Sequence, residues 1–310
     1  MEHETAGDPV SGCKWTRKTT AKIAQQLKRV GIRVSTNTVG RLLKQMKFSL
    51  RVNLKTLESG QSKPPDPRER DLQFSYIRRQ IRHYTAQGMP VISVDTKSRE
   101  LIGLFHQSGR SWSQDPLKVL DHDFPSDSHG VAIPYGIYDL SRNQGFVCVG
   151  TSRDTSEFAV DSIRTWWLKA GSNHYQNADR LLILADCGGS NGYRTRLWKH
   201  KLHVAFCNSF GLQVKVCHYP PGSSKWNPIE HRMFSFISNN WAAQPLRDYE
   251  TVLKFIRTAK TTAGLKIRAS LNKKQYDKGK KISDKQMQQI ALKRYTLRPK
   301  WNYSIAPSKM

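Results

Sequence analysis

No apolar run in the 310 residues approaches the roughly 20 that a membrane-spanning helix needs, and no secretory signal pattern opens the chain. No membrane association is expected, and the expected compartment is the cytoplasm. Cysteine is sparse: Cys13, Cys148, Cys187, Cys207 and Cys217 are odd in number, scattered, and form no CxxC pair. This excludes a disulfide framework and argues for free thiols in a reducing compartment. His218 beside Cys217 has no second ligand pair, so no zinc knuckle is expected either. Negative charge is scarcest of all. Only 24 Asp and Glu stand against 51 Lys and Arg, giving a net charge of +27 and a pI near 10.1. Such an excess repels itself in a compact chain unless a polyanion screens it, and the common polyanions are nucleic acids.

What is present divides the chain into four expected regions. In residues 1–50, two short helices flank a turn at Gly31. The first buries Ile23, Ala24 and Leu27, and the second, capped by Ser35, buries Val39, Leu42, Leu43 and Met46. This is the outline of a small all-α helix-turn-helix domain, with Thr36, Asn37, Arg41 and Lys44 facing outward on the second helix as DNA contacts. Residues 51–88 hold a linker rich in proline and charge, then a connecting helix with Leu72, Tyr76, Ile77 and Ile81 inward and Gly88 at its end. Residues 89–245 read as an α/β domain and residues 246–310 as a basic C-terminal extension. From 264 onward that extension has thirteen Lys and Arg against two acids and is too poor in apolar residues to fold alone, which suits a clamp on phosphates.

Within residues 89–245, VISVD ends at Asp95, and LIGLF follows as its expected partner strand. A long loop over 106–130, anchored by Trp112, leads to AIPYGIYDL and GFVCVGT at hairpin spacing. Asp154 and Glu157 suit a capping box that opens a helix burying Val160, Ile163 and Trp167 and stopping at Gly171. RLLILAD is continuously apolar, as in a strand covered on both faces, and stops at Asp186. A basic helix over about 194–210, the strand GLQVKVCHYP and a further helix complete the order. Antiparallel strands followed by strand-helix alternation are compatible with a ribonuclease H-like mixed sheet flanked by helices.

The last helix carries Glu230. Asn227 suits its cap and Pro228 its first position, with Ile229, Met233, Phe236 and Ile237 as the apolar stripe. Singly, each acid has a structural alternative: Asx-turns for Asp95 and Asp186, and a capping box for Glu230. Together, two strand-end aspartates and a helix glutamate in so basic a chain point to a site for two divalent cations acting on phosphodiesters. Lys225 and Arg232, beside Glu230, are placed to contact phosphate.

VDTK around Asp95, ADCGGSNG around Asp186 and WNPIEHR around Glu230 resemble the three catalytic blocks of DDE-type insertion-sequence transposases. The likeness is nearest the bacterial ISAzo-type group, distantly mariner-like, and covers roughly residues 10–290. It implies a ribonuclease H-like catalytic core in which Asp95, Asp186 and Glu230 are the metal-binding catalytic acids. It implies two Mg²⁺ ions, with Mn²⁺ able to substitute. It further implies hydrolysis at transposon ends followed by attack of the freed 3′-hydroxyl on target DNA. The partners would be the terminal inverted repeats and target DNA, bound by a homodimer or larger assembly in the bacterial cytosol near the nucleoid. The group carries a longer N-terminal region and a small residue where Cys187 stands. The alternative expectation is a truncated, catalytically incompetent DNA-binding derivative that inhibits transposition. A junction or repair nuclease on the same fold is a third.

Overall fold

The computed structural model describes residues 18–46, 48, 49 and 66–308, together with the segments 6–7 and 14–15. It divides into two compact units, Met1–Leu54 and Lys55–Met310.

In the first unit, two-residue strands β1 (Ala6–Gly7) and β2 (Lys14–Trp15) pair antiparallel, so the unit is not purely helical as the sequence suggested. The expected helices are α1 (Thr20–Arg29) and α2 (Thr36–Gln45). The side-chain oxygens of Thr19 and Ser35 accept from the amides of Lys22 and Thr38 and cap them. Gly31 turns the chain between them at φ 85°. Ile23 and Val39 are buried, but Leu42 and Met46, expected inside, are 42% and 65% exposed. Helices of ten residues crossing once bury only the side chains nearest the crossing. Thr36, Asn37, Arg41 and Lys44 are all exposed on α2, as the helical spacing requires.

The second unit begins with α3 (Pro67–Ala86), capped by Asp66, whose carboxylate accepts from the Arg68 amide at 2.9 Å. Its inward face holds Tyr76 and Ile77, but Leu72 is 56% exposed and Gln73 takes the buried place expected for it. Gln73 is held there by polar partners: it donates to the His218 carbonyl at 2.8 Å and exchanges hydrogen bonds with Asn302 at 2.9 and 2.7 Å.

The sheet follows in strands β3 (Val91–Thr96), β4 (Glu100–Leu101), β5 (Val131–Asp139), β6 (Gln144–Gly150), β7 (Arg180–Ala185), β8 (Gln213–His218), β9 (Lys266–Asn272), β10 (Leu292–Arg294) and β11 (Asn302–Ile305). Its order is β10-β11-β8-β7-β3-β5-β6-β9. β3, β5 and β6 run antiparallel in succession, and β7 and β8 then add in parallel on the other side of β3. This is the ribonuclease H-like arrangement the element order suggested. The LIGLF segment departs from expectation. Only Glu100 and Leu101 form a strand, and they pair with β5 rather than β3, because the parallel partner β7 already occupies the other edge of β3. Trp112 does not anchor the loop that follows; it is fully exposed.

Residues 246–308 are part of this fold rather than an extension of it. α9 (Tyr249–Thr258) packs Val252, Leu253 and Ile256 into the core, β9 pairs with β6, and β11 pairs with β8. β9 is only partly buried and β11, though fully buried, alternates polar with apolar residues, which is why their composition understated their part in the core.

Helices cover both faces. On one side lies a helical run made of α4 (Ser156–Trp166), the π-helical Trp167–Gly171 and α5 (Ser172–His174). Beside it lies a second run made of α6 (Arg196–Lys201), the π-helical Leu202–Cys207 and α7 (Asn208–Phe210). Together they pack Phe158, Ile163, Trp166, Trp198 and Phe206 on Ile92, Val94, Ile137 and Ile183. The cap of α4 is Thr155, whose hydroxyl accepts from the Phe158 amide, not Asp154. Glu157 pairs instead with Lys201 and Lys280, each at 2.6 Å. The opposite face carries α3, α9 and a helical run formed by the π-helical Glu230–Phe234 and α8 (Ser235–Asn240). That last run meets the sheet at Gly136, where an added Cβ would lie 2.5 Å from Phe234 Cε1 and 2.7 Å from Met233 Cε. Gly136→Ala should therefore shift the Glu230 helix and lower stability by about 1–3 kcal/mol in urea titrations. Unchanged unfolding would show that the helix yields without cost.

Candidate functional site

Side chains alternate across a strand, so on β3 Ile92 and Val94 enter one core face while Val91, Ser93 and Asp95 point to the other. The parallel register pairs Val94 with Ala185. The next residues along the two strands are Asp95 and Asp186. Neighbouring strands lie about 4.8 Å apart, so this register alone sets the two carboxylates side by side.

The third acid arrives through the start of the following helix. Ser93, buried on β3, accepts from the Ile229 amide at 3.2 Å and donates to Asn227 Oδ1. Asn227 Nδ2 in turn donates to Asp186 Oδ1 at 3.2 Å and to the Val94 carbonyl at 3.4 Å. Asn227 thus precedes the helix as expected, but its side chain is spent on Asp186 and a hydroxyl from the sheet satisfies the helix amide. Glu230 follows, close enough to Asp95 for the two carboxyls to bear on each other's charge. The sequence-expected acids Asp95, Asp186 and Glu230 therefore come together at one end of the sheet.

Burial pushes the Asp95 carboxyl well above the usual carboxylate range, and Asp186, Glu230 and Asp154 add repulsion, against a hydrogen bond from the Thr96 amide at 2.8 Å. Burial also raises Asp186, Glu230 and Asp154, with Asp186 adding to the shift of Glu230. Asp154 is the acid sequence reasoning placed elsewhere. Freed from capping, it accepts from Thr96 Oγ1 at 3.3 Å and lies close enough to bear on Asp95. A residue directly before a better cap, Thr155, was the available signal. Lys97 draws Glu230 partly back toward the charged form while pairing with Glu100 at 2.9 Å and lying 4.5 Å over the Trp241 ring.

Behind Asp186 a polar chain runs into the core. Trp198 Nε1 donates to Tyr303 Oη at 2.9 Å, Tyr303 lies 3.1 Å from His218 Nε2, and His218 Nδ1 lies 2.8 Å from the Asp186 carbonyl. Burial lowers the His218 pKa to about 4, so the ring is neutral at pH 7. A carbonyl can only accept, so Nδ1 carries the proton and Nε2 accepts from Tyr303. The adjacency of Cys217 and His218 thus marks no metal site: Cys217 is buried on the other side of β8. Cys217 is a free thiol, as are Cys148 and Cys207; Cys187 Sγ donates to the Tyr219 carbonyl at 2.9 Å, and Cys13 lies outside the described residues.

In front of the acids opens a cleft of about 510 Å³, walled by Gly188, Gly189, Tyr193, Arg194, Pro220 and Ser224. Arg232 is exposed two residues beyond Glu230, and Lys225 falls in the 3₁₀ turn Ser224–Trp226, its side chain outside the described part of the structure. Among the described residues, no three His, Cys, Asp or Glu side chains form a ready-made metal cage. The donor chemistry nevertheless suits a hard divalent cation: three carboxyls, crowded and pushed toward protonation by one another, would each be relieved by positive charge.

The fold and the carboxyl-lined cleft at the ends of its central strands define a ribonuclease H-like protein. The chain matches the model of the Rhodopirellula transposase DDE domain over residues 1–307 and belongs to that family. Among solved structures it is similar to the Mos1 transposase paired-end complex with left transposon end, at 13% identity and a TM-score of 0.45, covering 77% of this chain and 65% of that one. The Mos1 mariner paired end complex with Mn gives 16% identity, a TM-score of 0.43 and coverage of 77% and 65%. The Mos1 Strand Transfer Complex gives 13%, 0.45, 77% and 64%. The chain thus spans about two thirds of the length of those transposases. No curated protein matches it.

These shifts fix the sign of a pH dependence. Acids raised in the folded state keep protons that the unfolded chain releases, so without divalent cations stability is greatest near the ordinary carboxylate range and falls as pH rises through the raised values. Thermal melts in EDTA should show the melting temperature dropping as the pH rises above the ordinary carboxylate range, with Asp95→Asn flattening the drop. A melting temperature that climbs over this range would contradict the repulsion.

Proposed function

We propose that this chain is a DNA transposase that hydrolyses phosphodiesters at transposon ends and transfers the freed 3′-hydroxyl into target DNA. The observation that carries the reading is the pairing of β3 with β7, which sets Asp95 beside Asp186, with Glu230 near enough to repel both, in a chain of net charge +27. Membership of a transposase DDE-domain family supports it. Asp95, Asp186 and Glu230 would hold Mg²⁺, or Mn²⁺ in its place. Two such ions, when bound, supply the positive charge that activates the attacking oxygen and stabilises the leaving one. The chain's own residues prepare the site. Asn227 holds Asp186 in one orientation, Ser93 docks the helix that carries Glu230, and the charge of Lys97 favours the ionised form of Glu230.

The exposed side of α2, with Thr36, Asn37, Arg41 and Lys44, reads the terminal repeats, while Arg232 and Lys225 contact phosphates beside the cut strand. Region 1–50 is the DNA-reading part, and α3 together with residues 89–308 forms the catalytic part, whose basic C-terminal residues add phosphate contacts. Joining two ends calls for at least two copies on DNA. No helix among the described residues is long and apolar enough to cross a membrane, and we place the reaction in the cytoplasm, at the chromosome.

Wild-type protein with labelled terminal repeats and target DNA should nick and join in Mg²⁺ and do neither in EDTA or as Asp95→Asn. A direct binding readout accompanies the assay: Mg²⁺ should raise the melting temperature of the wild type and leave that of Asp95→Asn nearly unmoved. Cutting that survives the substitution would remove Asp95 from the chemistry. Cutting without joining would point to a structure-selective nuclease instead.

A further inference from the structure

A second cleft, of about 480 Å³, lies on the α3 side of the same region and is lined by Arg70, Asp71, Phe74, Arg78 and Trp226. Arg70, Phe74 and Arg78 are spaced i, i+4, i+8 on α3, so they form one stripe along the helix. The stripe alternates cation, ring, cation. Arg70 lies 5.8 Å over the Phe74 ring, and Phe74 meets Trp226 edge-on at 6.2 Å and Tyr219 at 6.0 Å. Trp226 is 54% exposed, an unusual position for the largest apolar side chain unless its face is used. It is also tied to the acids, because the next residue, Asn227, hydrogen-bonds Asp186 at 3.2 Å.

We propose that this cleft binds one unpaired nucleotide of the DNA, with its base stacked on Trp226 and its flanking phosphates on Arg70 and Arg78. The site rests on the transposase reading above and extends it. Separation of the strands at the cut would expose an unstacked base nearby, and an aromatic face beside paired cations is the surface that receives such a base without regard to sequence. Asp71 in the same lining repels phosphate, which assigns the phosphates to the two arginines on either side and leaves Asp71 as an acceptor for a base amino group.

The test uses the full chain in EDTA, so that no cleavage occurs. The probes are a 12-nucleotide single strand carrying 2-aminopurine and the blunt duplex of the same sequence. Wild-type protein should quench 2-aminopurine fluorescence in the single strand. Trp226→Ala should lose the quenching and lower single-strand affinity relative to duplex affinity about tenfold, the effect of one lost stacking partner. Trp226→Phe, which keeps a ring, should restore most of both. Arg70→Gln with Arg78→Gln should reduce the slope of log affinity against log salt by about 1.4, or roughly 0.7 for each phosphate released. Trp226→Ala that quenches like the wild type, or an unchanged affinity ratio, overturns the site. Wild-type protein that binds duplex with a steep salt dependence but does not quench overturns the site while leaving the transposase reading intact. Failure to bind either DNA overturns both.

Discussion

The pairing of β3 with β7 is the constraint on which the rest of the catalytic unit depends. Hydrogen bonds between two buried, parallel strands have no use for charge, yet they decide where two carboxylates meet. Because the side-chain period of a strand is two, a slip of one residue would turn Asp95 or Asp186 into the opposite core face among Ile92, Ile183 and Trp198. The apolar residues upstream therefore enforce the position of the acids. A charge misplaced into that core would cost several kcal/mol, and the apolar face supplies that penalty.

The acids are placed against their own electrostatic interest. Their mutual repulsion is sustained by packing and by a small set of polar contacts, among which Asn227 is central because it joins β3, Asp186 and the start of the Glu230 helix. The same arrangement makes the site a local exception in a chain of net charge +27. Polyanion attraction is spread over the surface, whereas the position of a divalent cation is set by a few buried oxygens, so the two functions of charge are kept apart in space.

Much of this was legible in the sequence. Apolar runs that stop at an aspartate announced both strand ends, and NPIEH announced a helix start with an acid in its first turn. The places where sequence reasoning failed share a cause: a polar side chain with a local role on paper found a better partner far along the chain. Asn227 reads as a cap until β3 offers Ser93. Asp154 reads as a cap until Thr155 takes the amide and Thr96 takes the carboxylate. Gln73 reads as exposed until Asn302, 229 residues away, satisfies it. The C-terminal strands were missed for a related reason. β9 is only partly buried, and β11, though buried throughout, alternates polar Asn302 and Ser304 with apolar residues, so neither composition announces a core strand and nothing local says which sheet they will join.

Both sides of the sheet are completed late in the chain: β9 closes the edge of β6, and β11, with β10 outside it, closes the edge of β8. Until residue 305 has emerged from the ribosome, the central strands carrying the acids can assemble only with a row of unpaired amides and carbonyls along the β8 side. A nascent copy therefore passes through an open-edged stage in which all three acids have been made while the sheet that holds them is not yet closed. Chains that stop before β11 would be prone to pair edge to edge with one another, a self-association unrelated to any assembly on DNA.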